Sequence, residues 1–119
     1  MMKKQGLARA FANAFSGIIY CFIHERNMRI HMMTAFVAGG LAWYLQLSHS
    51  ELLVLLLTIS SVLVAEMVNT VVERVVDLVS PEVHPLAKIA KDVAAGAVLI
   101  TVIISLLVAY LLFWTKIWG

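Results

Sequence analysis

The apolar positions fall into one short periodic stretch and three long runs. Over residues 5–24, Leu7, Phe11, Phe15, Ile18 and Phe22 recur at helical spacing, while Arg9, Asn13 and Ser16 take the other side. With Lys3 and Lys4 in front, this predicts an amphipathic helix lying in a membrane interface. Met32 to Ser48 carries no charged residue. As a helix it extends about 26 Å at about 1.5 Å per residue, enough to cross a hydrocarbon layer of about 30 Å when its flanks contribute. A second run starts at Leu52 and continues past Glu66 and Glu73 to Val79, and a third, Val93 to Thr115, has no charge at all. Between them, Pro81 and Pro85 push Ser80 and His84 out of the helical region, which predicts a short non-helical turn. The expected architecture is an all-α integral membrane protein with a single domain over 1–119. It comprises an interfacial helix at about 5–24 and membrane helices at about 30–48, 52–79 and 86–115.

Composition agrees. The chain is 62% hydrophobic and 13% charged, with a mean hydropathy of +0.94, whereas soluble domains run nearer half apolar and a quarter charged. A chain of 119 residues with three spans buries little by itself, so an oligomer is expected. A net charge of +2 without a dense basic stripe argues against nucleic-acid binding. A single cysteine, Cys21, excludes an intrachain disulfide and any multi-cysteine metal site. The opening MMKKQGLARAF lacks the compact apolar block and cleavage site of a signal peptide. Of nine basic residues, eight (Lys3, Lys4, Arg9, Arg26, Arg29, Arg74, Lys88 and Lys91) fall on one side of the spans, and Lys116 stands alone at the far end. The positive-inside rule makes the first side cytoplasmic, with the N-terminus inside and the C-terminus outside. Trp43, Tyr44, Tyr110, Trp114 and Trp118 sit where interfacial aromatic belts are expected.

The acidic residues carry the candidate chemistry. Of Glu25, Glu51, Glu66, Glu73, Asp77, Glu82 and Asp92, only Glu51 lies in the outer loop. Glu66, Asn69, Glu73 and Asp77 are spaced by three, four and four and share one helix face, with Arg74 off it. Glu66 lies about 16 Å along the helix from Asp77, inside the bilayer boundary, where an ionisable group costs a few kcal/mol. Glu66 and Asn69 could act as interhelical hydrogen-bond glue. A stripe of three like charges, however, points to a bound cation that relieves their repulsion. Glu25 has Arg29 four residues on, the spacing of an ordinary helical ion pair. Lys88 and Lys91 fall in the first turns of the last helix, where the helix dipole disfavours cations unless an anion is bound, although snorkelling to the interface also accounts for lysines there. Asp92 is followed on its face by the small Ala95 and Gly96. Carboxylates with lysines suit magnesium and a phosphate chain, yet no GxxxxGK[ST] loop and no protein-kinase signature are present. On residue chemistry alone the reading stops at a membrane site for a metal–phosphate ligand.

The run AEMVNTVVERVVDLVSPEVHPLAKIAKDVAAGAVL (65 to 99), with HERNMRIH (24 to 31) upstream, resembles the prokaryotic diacylglycerol kinase family. The RIH segment and the SPEVHPLAKIAKD wording are most similar to its Gram-positive, undecaprenol kinase branch. The resemblance implies a homotrimer in the bacterial cell membrane with shared active sites, and magnesium- and ATP-dependent phosphorylation of a lipid alcohol. It also implies roles. Glu66 matches the catalytic base, Asn69 the active-site asparagine, and Glu25 and Glu73 the metal-binding glutamates, which also contact ATP. Asp77, Glu82, Val83, His84, Lys91 and Asp92 match nucleotide-contacting positions. Asn27, Met28, Arg29, Ile30 and His31, with Glu66 and Ala95, match lipid-contacting ones. Val71 and Val72 replace the usual Ala-Ile, a mild change. His31 stands where the enterobacterial diacylglycerol kinases carry a glutamate, which points to undecaprenol rather than diacylglycerol as acceptor. Diacylglycerol kinase proper is the alternative within this chemistry. Outside it stands a small proton-coupled transporter, which would need an intramembrane glutamate but no phosphate site.

Overall fold

The computed structural model describes residues 6–119, all helical apart from short connections. Lys3, Lys4 and Gln5, expected to lead the first helix, lie outside the described residues. Four helices follow: α1 (Leu7–His24), α2 (Arg26–Tyr44), α3 (His49–Val79) and α4 (Pro85–Trp118). The 31 residues of α3 and 34 of α4 make rods of about 45 and 50 Å at about 1.5 Å per residue. These two form a long hairpin, with α2 against α3 and α1 against both α2 and α3.

Each junction has a local cause. Glu25 alone is extended between α1 and α2 (φ −113°, ψ 114°). Arg29 Nη1 donates to the carbonyls of Phe22 (2.9 Å) and Ile23 (2.7 Å), satisfying orphan acceptors at the end of α1. Arg29 thus caps a helix instead of pairing with Glu25. After α2, Gln46 takes the left-handed conformation (φ 56°). Its N–H donates to Trp43 O (3.2 Å) and the Leu47 N–H to Ala42 O (3.1 Å), the paired bonds of a Schellman motif. Ser48 then caps α3: its hydroxyl accepts from the Glu51 N–H (3.2 Å), while the Glu51 carboxylate accepts from the Ser48 N–H (2.9 Å). Between α3 and α4 both Ser80 (φ −134°) and His84 (φ −140°) are non-helical, as the two prolines require. His84 Nδ1 accepts from the Leu86 N–H (3.1 Å), and Pro85 occupies the first helical position.

The apolar core sits at the Schellman end, where Ala42, Leu47, Leu55 and Phe113 bury one another with Leu41, Leu52, Ile59 and Ala109 around them. Lys116 of α4 reaches Glu51 of α3 there (3.1 Å). Elsewhere the long helices turn large apolar side chains outward, including Leu57, Leu78, Ile100 and Leu106, as suits helices surrounded by lipid.

Length and apolar composition mark three helices as able to cross a membrane: α1, α3 and α4. The sequence reading instead placed the first crossing on α2 and kept α1 at the interface. The difference is compositional, because α2 opens with Arg26, Asn27, Arg29 and His31, whereas Arg9 is the only Lys, Arg, Asp or Glu in α1. The bounds also differ from those expected: α2 begins at Arg26 and stops at Tyr44, short of 48, α3 begins at His49 and α4 ends at Trp118.

The left-handed Gln46 is the one strained backbone position among the described non-glycine residues. Glycine carries no Cβ penalty there. Gln46→Gly should therefore stabilise the protein by up to about 1 kcal/mol, and Gln46→Val should destabilise it by about 1–2 kcal/mol. Thermal unfolding in detergent measures both, and the two variants should shift the midpoint in opposite directions.

Candidate active site

The face of α3 that carries Glu66, Asn69, Glu73 and Asp77 meets a different neighbour at each level. Deepest is Glu66, only 3% exposed. His31 of α2 approaches it, Nε2 to Oε1 being 3.1 Å. The contact is at ion-pair distance, while Oε1 accepts no hydrogen bond. One turn on, the buried Oδ1 of Asn69 also lacks a donor. Thr70 turns its hydroxyl back to the Glu66 carbonyl (3.0 Å) and satisfies neither. A buried acceptor without a donor costs about 1–3 kcal/mol. Two of them one helical turn apart make a place ready for a group that donates.

Towards the α1–α2 junction lies the pair Glu25 and Glu73, and Arg74 joins them. Its Nη2 donates to Glu25 Oε1 (3.0 Å) and its Nη1 lies 4.0 Å from Glu73 Oε2. Its Nε donates to the Tyr20 hydroxyl (2.8 Å), and its Cζ is 5.5 Å from the Tyr20 ring centroid. One guanidinium therefore ties α1, the Glu25 junction and α3. Sequence spacing could not reveal this: Arg74 is off the carboxylate stripe, and its partners are 49 and 54 positions away. Among the described residues no set of three or more His, Cys, Asp and Glu side chains converges in a way that could hold a metal ion. Two carboxylates with further ligands from phosphate are nonetheless what magnesium ordinarily takes, and Glu25 and Glu73, drawn to one cation already, fit that role.

Beyond Asp77 the two long helices open into a cleft of about 320 Å³ lined by Asp77, Ser80, Glu82, Val83, His84, Lys88, Lys91 and Asp92. Lys91 donates to Asp77 across the hairpin (2.6 Å), and Lys88 to Asp92 within α4 (2.6 Å). Carboxylates thus neutralise both lysines at the α4 N-terminus, and the α4 N-terminus itself is capped by His84. Glu82 and Val83 are exposed at the turn.

The segment expected to meet lipid divides. Asn27 and Ile30 are exposed, Arg29 is engaged with the end of α1, and His31 faces Glu66. Met28 points inward and is 2% exposed, because helical spacing turns it to the opposite side of α2 from Ile30. Ala95 is exposed on α4. From His31 a narrow apolar cleft of about 110 Å³ runs between α2, α3 and α4, past Thr34, Ala38, Thr58, Val62 and Ser105 to Phe113.

A comparison with curated proteins gives no match. The family model for prokaryotic diacylglycerol kinase matches residues 12–113, from within α1 to near the end of α4 and so across every group just described. The chain belongs to the prokaryotic diacylglycerol kinase family, a family of membrane lipid kinases.

Proposed function

We propose that this lipid kinase transfers the γ-phosphate of ATP to the hydroxyl of a membrane lipid alcohol, with undecaprenol the natural class of acceptor. The observation that carries the reading is the pair of buried acceptors that accept no hydrogen bond, Glu66 Oε1 and Asn69 Oδ1, with His31, which faces Glu66, lining an apolar cleft. An alcohol supplies the missing donor. Its hydroxyl gives its proton to Glu66 as its oxygen bonds to the γ-phosphorus, and the bond from that phosphorus to the departing ADP breaks. Asn69 keeps hydroxyl and carboxylate in register, and His31 orients Glu66. Glu25 and Glu73 would hold magnesium, which supplies charge neutralisation to the phosphate oxygens when bound. Asp77, the Glu82–His84 turn, Lys91 and Asp92 bind the nucleotide, with Lys91 released from Asp77 toward phosphate. Most of the acceleration is positioning and electrostatics. The reading includes a homotrimer, whose subunits cover the apolar faces of α3 and α4, and an N-in, C-out orientation with α1 at the interface and α2 crossing.

The cleft favours a polyprenol over diacylglycerol. Its hydroxyl donors are already engaged: Thr34 to Ile30 O (2.9 Å), Thr58 to Val54 O (2.7 Å) and Ser105 to Val102 O (2.7 Å). Ester carbonyls entering it would lose water and find no donor, which costs free energy, while an isoprenoid chain brings no such groups. In one detergent, undecaprenol should be phosphorylated faster than diacylglycerol at equal mole fraction. Equal rates, or a preference for diacylglycerol, would rule out the polyprenol assignment.

Glu66→Gln keeps shape and hydrogen-bonding capacity but removes basicity. A positioned general base contributes about 10²–10⁴-fold, so turnover should fall by that range while binding of an ATP analogue and oligomer size stay near wild type. Retention of most activity would give the proton to another group, and disassembly would make Glu66 structural.

A further inference from the structure

The reading above assigns a cation to Glu25 and Glu73, yet a cation of the protein's own is already there. Arg74 Nη2 is 3.0 Å from Glu25 and Nη1 4.0 Å from Glu73, with Nε on Tyr20. These three charged groups are a third or so exposed, with side-chain exposures of 43%, 24% and 36% for Arg74, Glu25 and Glu73. A hydrated ion can therefore reach them. A planar guanidinium also binds phosphate as readily as carboxylate.

We infer that Arg74 is a positioning residue of this site: a resident counter-cation that keeps Glu25 and Glu73 together until the divalent ion takes them, then turns its donors to the phosphate chain. The inference rests on the proposed role of Glu25 and Glu73. Its physical content is an exchange of partners. Two carboxylates and one guanidinium leave one net negative charge, which would repel a nucleotide. A divalent ion added to the same three groups reverses the sign to one net positive charge, which attracts a polyanion. The Tyr20 hydroxyl is the pivot. It bonds to Nε and leaves both terminal nitrogens free to change partner while the side chain stays anchored. Arg74 therefore competes with metal alone but assists metal together with nucleotide. A residue that merely braced α1 against α3 would do neither.

The test is Mn2+ binding to the detergent-solubilised full chain, followed by electron paramagnetic resonance, with Mn2+ alone and with Mn2+ plus a non-hydrolysable ATP analogue. A partly exposed ion pair shifts an equilibrium by about two- to fivefold. Arg74→Ala should thus bind Mn2+ alone about two- to fivefold tighter than wild type, yet bind the analogue several-fold more weakly. Arg74→Gln, which keeps a donor for Tyr20, should show the same opposed signs and serves if the alanine variant fails to assemble. Arg74→Lys, charged but without the fork, should stay nearer wild type for Mn2+ alone. Mn2+ affinity that is unchanged or weaker in Arg74→Ala or Arg74→Gln overturns the inference, as does loss of both affinities together. Glu73→Gln separates this from failure of the underlying reading. It should weaken Mn2+ binding in both conditions, and if it does not, the metal assignment fails and the inference with it.

Discussion

A carboxylate buried among apolar helices is the constraint around which the inner half of this molecule is arranged. Glu66 is 3% exposed, and a charge so placed costs several kcal/mol unless something answers it. The answer comes from another helix, His31 of α2, and it is partial, since Oε1 keeps no hydrogen-bond donor. A fully satisfied Glu66 would make a good strut and, in the role proposed for it, a poor base. Leaving one oxygen open retains both the cost and the reactivity, a trade that proteins make at functional sites.

The cost is borne at the other end of the bundle. There the chain is stapled by the Schellman motif at Gln46, the Ser48–Glu51 capping box, the Glu51–Lys116 pair and the apolar cluster around Leu55 and Phe113. At the carboxylate end polar ties join the elements alongside the buried Met28 and Cys21: Arg74 to Tyr20 and Glu25, Lys91 to Asp77, His31 to Glu66. Polar ties can exchange partners without repacking a core, whereas close-packed apolar contacts cannot. The site proposed to admit a polyanion, and a hydroxyl arriving from the bilayer, is thus built from replaceable contacts and anchored by irreplaceable ones.

What could be read from the sequence follows from this division. The stripe Glu66, Asn69, Glu73, Asp77 was legible because i+3 and i+4 spacing is a property of one helix, and the break at 80–84 because two prolines act on their own neighbours. Contacts between helices were not legible. Arg74 reads as off the stripe, and only the approach of α1 turns it into a bridge. Lys91 reads as a cation misplaced at a helix N-terminus until Asp77 of α3 is seen to hold it, whereas Lys88 pairs with Asp92 inside α4 at a spacing the sequence already displays. Met28 sits in a segment that reads as lipid-facing, yet it is among the most buried side chains, because α2 begins at Arg26 and its rotation fixes which residues face inward. The short α1 and α2 were also the hardest to rank by hydropathy. The polar residues of α2 (Arg29 and His31) are engaged with the end of α1 and with Glu66 instead of marking a surface.

His31 links the two themes. With a carboxylate at this position, Glu66 would face a like charge, and repulsion would favour protonating one of the two acids. An imidazole at 3.1 Å places no like charge against Glu66 and also lines the apolar cleft. The same side chain then bears on both the readiness of the base and the entry of the acceptor. A cleft whose hydroxyls are bonded to their own helices offers an entering chain dispersion contacts alone. In the proposed reaction, recognition would then be concentrated at the one polar point of the lipid, its hydroxyl, against Glu66 and Asn69. An acceptor with a single polar group at the head of a long hydrocarbon chain meets that arrangement with nothing left unpaired.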